Sequence, residues 1–175
     1  LTSCAGITKI LPDKKAMSVL SGREAVDGQV LAVKIDDTNM AHPQIGLEDA
    51  DVVYIEQVEG GLTRLAAVFS STIPVRIGPV RSARISDIDI LSQYGRVAFA
   101  YSGAQRKLLP VIADANLEDL GAQHESSKIF TTDPNRIAPY AMVLRADLLM
   151  QKIVDEKLKV DSAKSVGFVF GDNPE

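Results

Sequence analysis

Between residues 56 and 84 the sequence places Glu56, Glu59, Arg64, Arg76, Arg81 and Arg84, mostly within the blocks VEGGLTR (58–64) and VRIGPVRSAR (75–84). Carboxylates and guanidiniums gathered in this way either neutralise one another inside a fold or converge on a ligand. A guanidinium offers planar paired donors that match a carboxylate or phosphate. A carboxylate left unpaired can move a proton. Arg81 and Arg84 stand three apart, so they share one side of a helix entered after Gly78-Pro79. Two cations at a helix N-terminus oppose its dipole, and an anion must offset them. If Glu56 or Asp36 does so, the arrangement is internal; if neither does, the arginines and the free helix amides form a site for an outside anion. Internal ion-pair networks are the commoner of the two.

Other chemistry is sparsely provided for. Ser102 follows a strand and precedes a helix, where open α/β sheets bind ligands. Its S-G context lacks the G-x-S-x-G elbow, and a triad would have to recruit His42 or His124 from loops. Asp36 and Asp37 end a strand as the acids of many hydrolases do, but such residues equally bond loop amides. Two histidines and one cysteine cannot assemble a Cys/His metal site, and no phosphate loop or dinucleotide fingerprint is present. No cofactor is expected. The net charge is −4, with no Trp, four Tyr and five Phe, which argues against a nucleic-acid partner. No apolar run reaches the length needed to span a bilayer.

The elements that must position these residues are legible as short strands and helices. Strands are expected at VLAVKID (30–36), DVVYIEQV (51–58), TRLAAVFS (63–70), RVAFAYSG (96–103), SKIFTT (127–132), AMVLR (141–145) and SVGFVFG (165–171). Helices are expected at 83–95, at 104–115 with Pro110 kinking or dividing it, and at 148–159 with Asp147 as N-cap. A helical turn fits 47–50. This is an α/β chain of mixed α+β type, its mixed or mainly antiparallel sheet layers packed against helices. With a two-residue Gly60-Gly61 turn, Glu59 faces Leu62, Gln57 faces Arg64 and Glu56 faces Leu65. Glu56 then shares a greasy face with Val52, Tyr54, Val58, Leu65, Ala67 and Phe69. A carboxylate there requires a partner, and Arg81 or Arg84 is the expected one, while Glu59 lies diagonal to Arg64 for a cross-strand pair.

The chain begins LTSCAG, and Leu1-Thr2-Ser3-Cys4 has the form of a bacterial lipobox, with Cys4 as the lipidated residue. Residues 1–27 are read as lipobox and tether, 28–160 as the main domain, and 161–175 as the start of a C-terminal domain.

The blocks VKIDDTNMAHPQIGL, ADVVYIEQVEGGLTRLAAVF, IGPVRSAR and RIAPYAMVL, in that order and spacing, resemble the YerB-like lipoprotein family of bacteria over roughly residues 28–150. The resemblance implies a lipid-anchored, extracytoplasmic protein of the cell envelope whose mixed α/β N-terminal domain precedes a second domain. Motif positions that carry over include Lys34, Asp36, Pro43, Gln44, Gly46, Asp51, Glu56, Glu59, Gly60, Gly61, Thr63, Arg64, Gly78, Arg81, Ser82, Arg84, Arg136 and Pro139. Departures fall at Asp37, His42 and Tyr140-Ala141, where family members more often have Asn, Arg and His-Asn. The loss of that histidine weakens an acid/base reading at position 140. The expected function is recognition of an envelope protein or anionic wall ligand through a cleft of Asp36, Glu56, Glu59, Arg64, Arg81, Ser82, Arg84 and Arg136. The rival readings are an envelope-polymer hydrolase using Glu56 or Asp36 with Arg81 and Arg84, and a purely structural charge cluster with binding elsewhere.

Overall fold

The computed structural model describes residues 15–171. Strands β1 (Leu31–Asp36), β2 (Val52–Gln57) and β3 (Thr63–Phe69) form with β5 (Val97–Ala100) and β6 (Leu117–Asp119) a mixed sheet in the order β2-β3-β1-β5-β6. The β1–β3 and β2–β3 pairs are antiparallel; β1–β5 and β5–β6 are parallel. A second, antiparallel sheet holds β4 (Arg76–Ile77), β8 (Met142–Arg145) and β7 (Phe130–Thr132), with β8 central. The helices are α1 (Ile85–Ser92), α2 (Leu109–Asp114) and α3 (Ala146–Asp155).

The large sheet is covered on both faces, which is why β1 has no exposed residue. On one face Leu31, Val33, Ile35, Leu65 and Phe69 pack with Ile77 and Leu144 of the small sheet and Leu149 and Ile153 of α3. On the other, Ala32, Val68 and Phe99 pack with Leu91, Tyr94 and Ile112 from the α1 and α2 regions. Burying both sides of β1 is what allows an apolar run without alternation.

Several expectations are corrected. Residues 165–171 form no strand. Pro110 does not kink a helix; it occupies the first turn of α2, where its missing N–H costs no bond. Helix α3 begins at Ala146, so Asp147 lies in its first turn, clamped by Arg145 at 2.6 and 2.9 Å, and not at the cap. The short strands β4 and β6 were not anticipated. The helical turn near 47–50 is present as a 3-10 turn, Leu47–Asp49.

The hairpin register also differs by one residue. The Val58 N–H donates to the Leu62 carbonyl, closing a three-residue Glu59-Gly60-Gly61 loop in which both glycines have φ above +70°. Glu56 therefore faces Arg64, and Gln57 faces Thr63. A slip of one exchanges the faces of a strand. Leu65, Ala67 and Phe69 thus lie opposite to Glu56, under the small sheet.

Candidate functional site

With this register, Asp36, Arg64 and Glu56 stand side by side across β1, β3 and β2, on the face covered by α1. One row inward lie Lys34, Ala66 and Tyr54. Lys34 is wholly buried, and its ammonium donates to Glu56 Oε1 and, at 2.7 Å, to Asp87 Oδ1. Lys34 and Glu56 lie two strands apart, about 10 Å between backbones, so the lysine stem must cross β3. Ala66 is small enough to let it pass. Ser86 donates to the other Glu56 oxygen, and Asp87 Oδ2 accepts the Arg84 backbone N–H at 2.6 Å. That last bond caps α1, which has no Ser, Thr, Asp or Asn at its N-cap. It also turns Asp87 inward and leaves Ile85 outward, while Leu91 is buried and Ile88 packs against the same core.

The neutralising partner of Glu56 is therefore Lys34 from within the sheet, not Arg81 or Arg84. The signal was a lysine inside the otherwise apolar run VLAVKI, in a strand that alternation could not assign to a solvent face. The two acids that share this ammonium titrate in opposite directions. For Asp87, burial is the larger effect, reinforced by the Glu56 charge and opposed by Lys34, and it pushes the pKa up to about 6. For Glu56, burial also pushes upward, but the hydrogen bonds from Lys34 and Ser86 and the Lys34 charge together hold it below its ordinary value.

The arginines form a separate layer at the open end of the same sheet. Arg81 Nε abuts Asp36 Oδ2 as an ion pair that is not aligned as a hydrogen bond, so neither atom has a hydrogen-bond partner. Asp36 Oδ1 accepts from the Thr38 backbone and hydroxyl at 2.7 and 2.6 Å. The Arg81 guanidinium also lies 5.7 Å from the centre of the Tyr140 ring, a cation–π contact. Arg84 donates two bonds to Glu59 Oε2, at 2.7 and 2.9 Å, and Gln105 holds the other oxygen at 3.1 Å. The expected Glu59–Arg64 pair is thus replaced by Glu59–Arg84. Arg64 makes one hydrogen bond, to the Ser82 carbonyl at 2.9 Å, and no ion pair among the described residues. Arg84 Nη1 reaches the same carbonyl at 3.4 Å, which makes the two guanidiniums neighbours. Burial, then the charges of Arg84 and Arg81, lower the pKa of Arg64 against the smaller opposing attraction of Asp36 and Glu59. Ser82 contributes through its backbone.

Arg136 stands apart from this cluster. It donates to the carbonyls of Ala41 and Pro43 and ties the 133–140 loop to the 39–43 segment. Asp37 accepts from Thr63 at 2.6 Å and faces His42 at 3.3 Å; His124 lies 3.3 Å from Asp119. Three hollows surround the arginine layer. One of about 450 Å³ is lined by Asp37, Thr38, Thr63 and Tyr140. A second, of about 250 Å³, is lined by Arg81, Ser102, Pro139 and Met142. The third, of about 430 Å³, lies beside Glu59 and Arg84. A further hollow between Met17, Val19, Phe168 and Phe170 carries no charged side chain. Cys4 lies outside the described residues.

The architecture is a mixed α+β domain with a charged layer over the carboxyl ends of β1 and the parallel strand β5. Residues 18–159 match the family described as "Protein of unknown function (DUF3048) N-terminal domain", and the chain belongs to this YerB-like family. It is similar to "Putative lipoprotein YerB" of Bacillus subtilis (strain 168), 39% identical over 80 residues, a match covering 42% of this chain and 24% of that protein. The crystal structure of YerB protein from Bacillus subtilis superposes with a TM-score of 0.76 at 23% identity, over 83% of this chain and 51% of that one. The chain therefore spans about half the length of that solved relative, and the likeness establishes the fold.

Proposed function

We propose that this is the ligand-binding domain of an extracytoplasmic lipoprotein, held at the membrane through Cys4, which recognises a carboxylate or phosphate of an envelope partner or wall component with Arg64, Arg81 and Arg84. The observation that carries this reading is the unequal pairing of the three arginines. Asp36 pairs with Arg81 and Glu59 with Arg84, while Arg64, crowded by both cations, makes no ion pair among the described residues and feels the Asp36 and Glu59 charges only as weaker, longer-range attraction. An anion arriving there relieves that repulsion and gains charge-assisted hydrogen bonds. The name of the relative supports the anchored location. Glu56 is engaged by Lys34 and Ser86, and Asp36 by Arg81 and Thr38, so these acids act as supports more readily than as proton carriers.

The test is titration of the full chain with inorganic phosphate and acetate, comparing wild type with Arg64→Ala and Arg64→Lys. Arg64→Ala is expected to abolish binding while leaving the melting temperature nearly unchanged, and Arg64→Lys to restore part of it. A stability loss as large as that of removing a buried ion-pair partner, with anion affinity unchanged, would instead make Arg64 a structural residue.

A further inference from the structure

We infer that the groove beside Glu59 and Arg84 binds the alkyl chain of an anionic amphiphile whose carboxylate or phosphate head sits on Arg84 and Arg64. This rests on the reading of the arginine layer as an anion site and extends it to the substrate class.

The groove runs between the start of α1 and the 105–111 segment, with a volume of about 430 Å³, within the size range of small-molecule sites. Its apolar lining comes from Ile85, Leu108 and Val111. Ile85 is 61% and Val111 41% exposed, yet both border the same hollow, unlike the scattered surface aliphatics of an ordinary domain. Its polar residues are Arg84, Lys107, Gln105 and Glu59. Lys107 pairs with no acid among the described residues, so the lining of this slot carries surplus positive charge. Apolar walls with a net positive lining complement a chain with an anionic head.

Glu59 points to how the head is seated. Its carboxylate lies on the surface and accepts both Arg84 bonds as well as the bond from Gln105. A ligand carboxylate or phosphate would make the same contacts, so Glu59 occupies the head position when the groove is empty. Displaced, it swings into solvent, since residues 59–62 are all exposed. The Ser82 carbonyl, shared by Arg84 and Arg64, connects the groove to the guanidinium that makes no ion pair among the described residues.

The experiment is isothermal titration of the full chain, below micellar concentrations, with inorganic phosphate, butyl phosphate, decyl phosphate and decanoate. Each methylene that enters the groove is expected to tighten binding about fourfold. The double variant Ile85→Asn with Val111→Asn, both at exposed positions, should remove about tenfold or more of the decyl phosphate affinity and leave inorganic phosphate unchanged. Glu59→Gln should tighten binding of every head group, because the internal competitor loses its charge. Equal affinity for all three phosphates overturns the groove and leaves the anion site standing. Chain-length-dependent binding that persists in Arg64→Ala supports the groove and overturns the role of Arg64. Preferential capture of a mixed Asp-Leu peptide, with no dependence on chain length, assigns the groove to a protein partner and overturns the proposal, as does failure of all four probes to bind.

Discussion

Replacing Lys34 by Met tests the physical core of this structure. Methionine keeps the length and volume of the stem that crosses Ala66, so the change removes charge and hydrogen bonds without opening a large cavity. Two carboxylates, Glu56 at 8% exposure and Asp87 at 0%, then share no cation. Breaking a buried pair in this manner costs about 3–5 kcal/mol. At about 2–4 °C per kcal/mol for a chain of this size, the melting temperature should fall by roughly 6–20 °C at neutral pH. The deficit has a signature. Without the ammonium both acids bind protons more readily in the fold, so the gap between variant and wild type should narrow as pH falls from 7 to 5. Adding Glu56→Gln and Asp87→Asn to the variant should recover most of the loss. Urea unfolding at the two pH values reads all of this. A loss under about 1 kcal/mol, where 3–5 is expected for a buried pair, or one identical at pH 7 and pH 5, refutes the reasoning.

Arg81→Ala should cost about 3 kcal/mol or more, because it strands the buried Asp36 carboxylate. Arg64→Ala should not, and a thermal melt of the two side by side separates support from site. Wild-type stability should decline as pH rises through about 6, since Asp87, ordinarily 3.8, is favoured as its protonated form in the fold. Its stabilising contribution is complete below its unfolded value and lost above the folded one, roughly 1 kcal/mol between pH 5 and 7. Glu56, with its pKa lowered from 4.5, contributes in the opposite sense and loses stability as pH falls below that value. Asp87→Asn should flatten the upper limb; an unchanged limb points to another group. Gly46→Ala should destabilise more than Gly60→Ala in chemical denaturation. Both have positive φ, but a Cβ on Gly46 would lie 2.4 Å from the Arg76 carbonyl oxygen, and one on Gly60 meets nothing.

Much of the fold could be read from residue types. The runs 31–36, 52–57, 63–69 and 97–100 are strands because β-branched and apolar residues dominate them, and the mixed α+β class follows from their alternation with helices. The two-residue strand β4 and the three-residue β6 left no such signature, since elements that short are made by their neighbours. Residues 165–171 have strand composition but pair with no strand among the described residues, and composition cannot supply one.

At the charged layer the division is sharper. Local chemistry was enough to single out Asp36, Glu56, Glu59, Arg64, Arg81 and Arg84, because acids and guanidiniums so close in the chain need an explanation wherever they fold. Who pairs with whom was beyond it. A single extra loop residue at Glu59-Gly60-Gly61 reverses the faces of the hairpin, and Lys34 and Asp87 join Glu56 from positions far apart along the chain. Residue types thus set which charges had to be satisfied. Strand register and the placement of α1 chose Lys34 for the interior and left Arg64 without an ion pair among the described residues, because pair energies depend on distances that only the packed sheet defines.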